Sequence, residues 1–200
     1  MNTGIVILAA GESARMGKPK QLLAYRGETL LDHTINVALE LDAPVVVVLG
    51  AHAAQIHAQL DESRVLFAEN PDWRDGMGGS LRTGLRALLD AHPQTDAAIF
   101  LLCDQPLLTA ETLTNLIAAH QRTGPAIVAS EYDHALGVPA LFARELFPEL
   151  LALTGAGGAQ QIIRAHRDQA VGVPFPDGAV DIDTPADYRS LSELSTPTPV

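Results

Sequence analysis

The 200-residue chain has one cysteine, Cys103, which excludes an internal disulfide and any metal centre built on several thiolates. It has two lysines, Lys18 and Lys20, with one proline between them; all its other basic side chains are arginine. Aromatic residues make up only 4%, so Leu, Ile, Val and Ala must fill the core of a chain that is 47% apolar. No apolar run approaches the ~20 residues needed to span a bilayer. The opening residues do not read as a secretory leader. Positive charge is also in deficit: a net charge of −11 repels nucleic-acid phosphates and anionic lipid alike. These exclusions leave the expectation of a cytoplasmic globular protein with neither a nucleic-acid nor a membrane partner.

What is present alternates. Short apolar runs at 5–8, 45–49, 65–68, 98–102 and 126–129, with a late one near 180–182, read as strands. The first, second and fourth are continuous rather than alternating, which suits central strands of a parallel sheet buried on both faces. Helical patterns lie between them, at 29–41, at 80–91 with Ser80 as N-cap, and at 109–120. "TPAD" (184–187) supplies an N-cap Thr, a first-position Pro and an acid three residues after the cap. This order predicts an α/β fold, a three-layer α/β/α sandwich on a mostly parallel sheet. Residues 131–158 are less regular and suit either a substrate-facing lobe or extra strands, and residues 195–200 read as a flexible tail.

Ligands of such sheets collect beyond the carboxyl ends of the strands. The first strand runs into "ILAAGESARMGKPK", where five residues separate Gly11 from Gly17 and Pro19 follows Lys18; a P-loop needs four and a Ser or Thr. Position 13 is Ser, so the dinucleotide fingerprint fails as well. Ala9, Ala10 and Gly11 still allow close approach to backbone N–H groups, and Arg15, Lys18 and Lys20 bring three cations within six residues. That combination suits a phosphate; a solvated basic turn is the plainer reading.

Asp104 follows the apolar run "AAIFLLC" directly, where an unpaired buried charge would be costly. Asp181 and Asp183 flank Ile182 in "DIDTP", so on a strand they would share one face. Carboxylates at strand ends opposite a cationic loop suit Mg²⁺, which takes a few carboxylates and completes its shell with water and phosphate oxygens. The turn "DGMGGS" brings Gly76, Gly78 and Gly79 before Ser80, which fits either a backbone surface for a flat ligand or a flexible helix entry.

The ordered set "LAAGESARMGKPKQLL", "NPDWRDGMGGSLRTGL", "LLCDQP", "GVPALF" and "DIDTPADY" resembles the molybdenum cofactor cytidylyltransferases. These are molybdopterin nucleotidyltransferase-like proteins of the nucleotide-diphospho-sugar transferase superfamily, and the resemblance runs roughly from residue 4 to 188. It implies one nucleotidyltransferase domain over 1–194, with 131–158 as the acceptor-substrate region. It also implies catalytic roles for Arg15, Lys20 and Asp104, and a Mg²⁺ ion on Asp104 and Asp183. Leu8, Ala9, Ala10, Gly11, Gly79 and Ser80 match positions around the nucleotide, and Gly137 and Pro139 match the turn near the acceptor. Many relatives have His before that proline, where this chain has Val138.

The implied reaction is in-line attack by the terminal phosphate of molybdopterin on the α-phosphorus of CTP, releasing pyrophosphate without a covalent intermediate. A molybdoenzyme or its insertion chaperone is the implied recipient. Three alternatives stand beside this reading: GTP as donor, another phosphorylated acceptor, and a non-catalytic carrier of the cofactor.

Overall fold

A computed structural model of the chain describes residues 1–61 and 63–194; the expected flexible tail, 195–200, lies outside them. Nine strands form: β1 (Thr3–Leu8), β2 (Ala24–Tyr25), β3 (Glu28–Thr29), β4 (Val45–Leu49), β5 (Leu66–Glu69), β6 (Ala97–Leu102), β7 (Ile127–Tyr132), β8 (Ala135–Ala143) and β9 (Ala170–Pro174). The α-helices are α1 (Leu30–Leu39), α2 (Ala53–His57), α3 (Met77–Ala91), α4 (Ala110–Thr123), α5 (Phe147–Ala152), α6 (Ala159–Ala165) and α7 (Pro185–Leu194). β2 and β3 make a small hairpin, and the other strands form one sheet in the order β5-β4-β1-β6-β8-β7-β9. Within it only β8 runs antiparallel to its neighbours β6 and β7.

The apolar runs explain the layering. In β1, Ile5 and Ile7 face one core while Val6 and Leu8 face the other; Val45 and Val47 alternate with Val46 and Val48 in the same way along β4. Leu81, Leu85 and Leu88 of α3, with Leu150 of α5 and Ile163 of α6, close the core that Val6 and Leu8 face. Leu31 and Ile35 of α1, Ile56 of α2, and Leu113 and Leu116 of α4 close the other. Each such fully buried side chain contributes about 1.5–3 kcal/mol. The result is the three-layer sandwich read from the sequence.

Three local expectations change. Ser80 is not an N-cap: α3 begins at Met77, and the Gly78 N–H donates to the Gly155 carbonyl (3.1 Å) rather than to a capping side chain. Gly76, at φ 115°, makes the sharp entry that permits this earlier start. No strand forms at 180–182. The preceding Pro176–Ala179 turn is 3₁₀-helical, and the segment is held by Val180 N–H on the Asp177 carbonyl (3.1 Å), Ile182 N–H on the Asp104 carbonyl (3.0 Å) and the buried Ile182 side chain. The last strand is instead β9, a partly exposed edge whose Gly172 and Pro174 hid it from pattern reading. Residues 131–158 supply an extra strand, β8, inserted between β6 and β7.

Thr29 and Thr109 cap α1 and α4, each accepting from the N–H three residues on. At α7 the cap is reciprocal: Thr184 Oγ1 accepts from Asp187 N–H (3.3 Å), and the Asp187 carboxylate accepts from Thr184 N–H (2.7 Å).

Candidate active site

β1 and β6 are neighbouring parallel strands, so the loops beginning at Ala9 and Cys103 emerge side by side at the carboxyl edge of the sheet. The first loop is pinned from within. Ser13, at φ 59°, turns the chain, its carbonyl accepts from Met16 and Gly17 N–H, and Gly17 at φ 73° completes the turn. The buried Met16 anchors this turn against Leu23, Leu30 and Ile182. Ser13 Oγ then accepts from Lys20 N–H (3.1 Å), and the fully buried Gln21 donates from Nε2 to the Ala9 and Gly11 carbonyls (2.8 and 2.9 Å). Lys20 is thus held at its backbone while its side chain projects toward β6.

There it meets two aspartates, Asp104 just past β6 and Asp183 just before α7. Lys20 Nζ donates to Asp104 Oδ2 (2.5 Å) and to Asp183 Oδ1 (3.1 Å), and Arg15 Nη2 donates to Asp183 Oδ2 (2.6 Å). Asp183 arrives from a distant part of the chain because α7's cap and the Ile182–Asp104 backbone bond fix residues 182–184 beside the end of β6. Burial alone would lower the Lys20 pKa, but the neighbouring carboxylates, Asp104 foremost, outweigh it and hold the ammonium protonated well above its ordinary range. Burial, followed by the Asp183 and Asp104 carboxylates, raises the Asp181 pKa. Burial pushes the adjacent Cys103 thiol up to about 12, with the Asp104 charge adding to it, so this cysteine is a neutral packing group.

Beside the ion cluster lies a cavity of about 210 Å³. Its walls are Leu8–Gly11 on one side and Gly76, Met77 and Ser80 on the other, with Trp73 among them and Lys20 and Asp104 at its polar end. Asn70 Nδ2 donates to Ser80 Oγ (3.0 Å) and fixes that hydroxyl inside α3. Gly79 lies within α3 against the Asn70 amide.

Gly137 and Pro139 sit in β8 at the same end of the sheet. The Val138 carbonyl between them accepts from Gln105 Nε2 (3.1 Å) and Tyr132 Oη (3.0 Å), and Ser130 Oγ donates to the Pro139 carbonyl (2.8 Å). The Val138 side chain packs against the apolar core, which accounts for an aliphatic residue there.

Lys18 does not join the cluster: its ammonium stands over the Tyr188 ring, 5.5 Å from the centroid. Gln21 and Gln105 are the residues that sequence reasoning passed over. Both are polar, almost fully buried and next to a charged site residue, and glutamines directly following "PK" and "CD" at strand-end loops were the available signal.

Residues 5–170 match the model of the MobA-like NTP transferase domain. The chain belongs to this family. It is a nucleotidyltransferase. Among similar proteins, the purine catabolism protein PucB of Bacillus subtilis is 31% identical over 194 residues, 92% of each chain. Nicotine blue oxidoreductase of Paenarthrobacter nicotinovorans is 35% identical over 141 residues, 70% of this chain and 66% of that one. The molybdenum cofactor cytidylyltransferase of Escherichia coli is 25% identical over 96% of both chains. The corresponding guanylyltransferase of Vibrio cholerae is 27% identical over 96% of this chain and 93% of its own. The crystal structure of Rv0371c from Mycobacterium tuberculosis superposes with a TM-score of 0.82 at 30% identity, covering 96% of this chain and 98% of that one. The same protein has also been crystallised as a manganese complex. Among the described residues no helix is long and apolar enough to cross a membrane.

Proposed function

We propose that this MobA-like transferase moves CMP from CTP to the terminal phosphate of molybdopterin and releases pyrophosphate, in the cytoplasm. The observation that carries the reading is the meeting of Lys20, Arg15, Asp104 and Asp183 at the polar end of a small-residue cavity. Two cations beside two carboxylates suit a reaction in which negative charge builds on an α-phosphoryl group and a departing pyrophosphate.

The donor set fits a divalent metal. Asp104 Oδ1 is buried without a hydrogen-bond partner, and no group of three or more candidate metal ligands exists among the described residues. Asp104 and Asp183 would therefore hold the ion as two carboxylates, with water and phosphate oxygens completing the shell, as Mg²⁺ prefers. Bound there, Mg²⁺ would supply Lewis-acid stabilisation of the phosphoryl oxygens. Lys20 and Arg15 would bind the β- and γ-phosphates and stabilise the leaving pyrophosphate. Leu8–Gly11, Gly79 and Ser80 would hold base and ribose, and the backbone of Gly137 and Pro139 would orient the acceptor. Donor and acceptor phosphates held in line need no nucleophile from the protein. The product would pass to a molybdoenzyme or its insertion chaperone.

"LAAG" rather than a more glycine-rich loop favours cytidine by family resemblance, and likeness to the Escherichia coli cytidylyltransferase over nearly the whole chain supports the acceptor. The test is pyrophosphate release with each NTP, Mg²⁺ and molybdopterin. Release with CTP, lost in Asp104→Asn and Lys20→Met, is expected. Release with GTP alone would replace the cytidylyl reading, and release only with another phosphorylated acceptor would replace molybdopterin.

A further inference from the structure

The backbone hydrogen bonds of the first loop are lopsided. The Ala9 N–H donates to the Val48 carbonyl (2.9 Å), and the Ala10 carbonyl accepts from Ala51 N–H (3.0 Å). The carbonyls of Ala9 and Gly11 both accept from Gln21 Nε2 (2.8 and 2.9 Å). All three carbonyls from Ala9 to Gly11 are therefore occupied. Among the described residues, the N–H groups of Ala10 and Gly11 have no protein acceptor. Buried backbone groups are paired almost without exception, so the unpaired N–H of the buried Ala10, with that of the exposed Gly11 beside it, is available to a ligand in the cavity. The loop thus leaves two unpaired donors beside the cavity, while each of its three carbonyls already accepts one hydrogen bond.

Gln21 is what creates this pattern. It is fully buried, and both amide protons are spent on the two carbonyls. Its Oε1 lies on the other side, 3.5 Å from Ser13 Oγ. A flipped amide would set oxygen against two carbonyl oxygens, so the donor orientation is enforced.

We propose that Gln21 determines which base the cavity accepts. By consuming the Ala9 and Gly11 carbonyls it leaves a donor-only wall, which selects an edge with adjacent acceptors, as cytosine has at O2 and N3. Uracil presents N3–H at that edge and would set donor against donor; guanine would do so with N1–H and its 2-amino group on its Watson–Crick edge, and could meet the wall only through O6 and N7. A buried mismatch of this kind leaves polar groups unpaired, which is how sites reject near-isosteric ligands strongly. The inference rests on the reading of Leu8–Gly11 as the nucleotide wall.

The test is calorimetric binding of CTP, UTP and GTP, each with Mg²⁺ and without any acceptor, to the wild-type chain and to Gln21→Met. Methionine keeps the length and removes both donors, which frees two carbonyls as acceptors. The wild type is expected to favour CTP over UTP at least about tenfold, and Gln21→Met to shrink the CTP:UTP ratio at least about tenfold. A uniform loss of affinity with unchanged ratios would overturn the proposal and make Gln21 a purely structural residue. Should Gln21→Met not fold, equal wild-type binding of CTP and UTP would overturn the proposal, and a clear CTP preference would support it. If the wild type binds a different base best, the cytidylyl reading fails. The effect of Gln21→Met on base ratios still decides the residue's role in that case.

Discussion

Lys20→Met is the most informative single change, because one ammonium neutralises two carboxylates. Nζ lies 2.5 Å from Asp104 Oδ2 and 3.1 Å from Asp183 Oδ1, and the side chains of Lys20 and Asp104 are each only 14% exposed. Removing one partner of a buried ion pair costs about 3–5 kcal/mol. Arg15 still holds Asp183 and water reaches the edge of the cluster, so the lower end, about 3 kcal/mol, applies here. For a domain of this length each kcal/mol moves Tm by about 2–4 °C, so Tm should fall by about 6–12 °C. Turnover should fall about 10²–10³-fold, the usual loss for one preorganised charge at a transition state.

The pH dependence has a definite sign. The folded-state pKa of Lys20 lies above its ordinary 10.5, so its stabilisation is complete below that value and disappears only as pH rises beyond it. The Tm gap between parent and variant should therefore be constant from pH 6 to 9, roughly the plateau that linkage requires. Mn²⁺ should restore Tm more in the variant than in the parent, because a cation between Asp104 and Asp183 replaces the missing charge. Differential scanning calorimetry and pyrophosphate release read these effects. A Tm within about 1 °C of the parent, with turnover retained, would refute the reasoning.

Three further outcomes follow. Gly84→Ala should destabilise by about 1–3 kcal/mol despite a better helix propensity, because its Cβ would lie 2.4 Å from Val6 Cγ1 and 2.6 Å from Val48 Cγ2; a raised Tm would contradict this. Thr184→Ala should cost about 1 kcal/mol by loss of the α7 cap. The hydroxyl and N–H of Thr184 hold the Asp187 carboxyl below its ordinary 3.8, so the contact between hydroxyl and carboxylate is present above that pH and fades as pH falls through the lowered value, while the hydroxyl's bond from the Asp187 N–H persists; an acid-range gap in Tm that does not narrow at all would argue against the reciprocal cap. Cys103 should resist iodoacetamide at pH 8 in the native chain, and rapid alkylation seen by mass spectrometry would show that the thiol is neither buried nor raised.

The layered fold was legible because its signal is local. The continuous runs of β1, β4 and β6 load both faces by alternation, and the Thr29, Thr109 and Thr184 caps follow from neighbouring residues alone. The misreadings fall where distant chain decides local conformation. Ser80 looked like a cap until the Gly155 carbonyl supplied the partner that let α3 start earlier. Residues 180–182 looked like a strand, but β9 had already taken the position beside β7.

Composition and motif spacing settled by themselves that the chain alternates strands with helices, that its lysines sit in one loop after the first strand, and that this loop is neither a P-loop nor a dinucleotide turn. Only the tertiary structure decided that Lys20 closes on both aspartates while Lys18 turns away to Tyr188. It alone joined Asp183 to the end of β6 and spent the Gln21 amide on the loop carbonyls. The physical reason is the same throughout: backbone periodicity is written into neighbouring residues, whereas the partner of a buried charge or amide depends on which distant segments the packed sheet brings together.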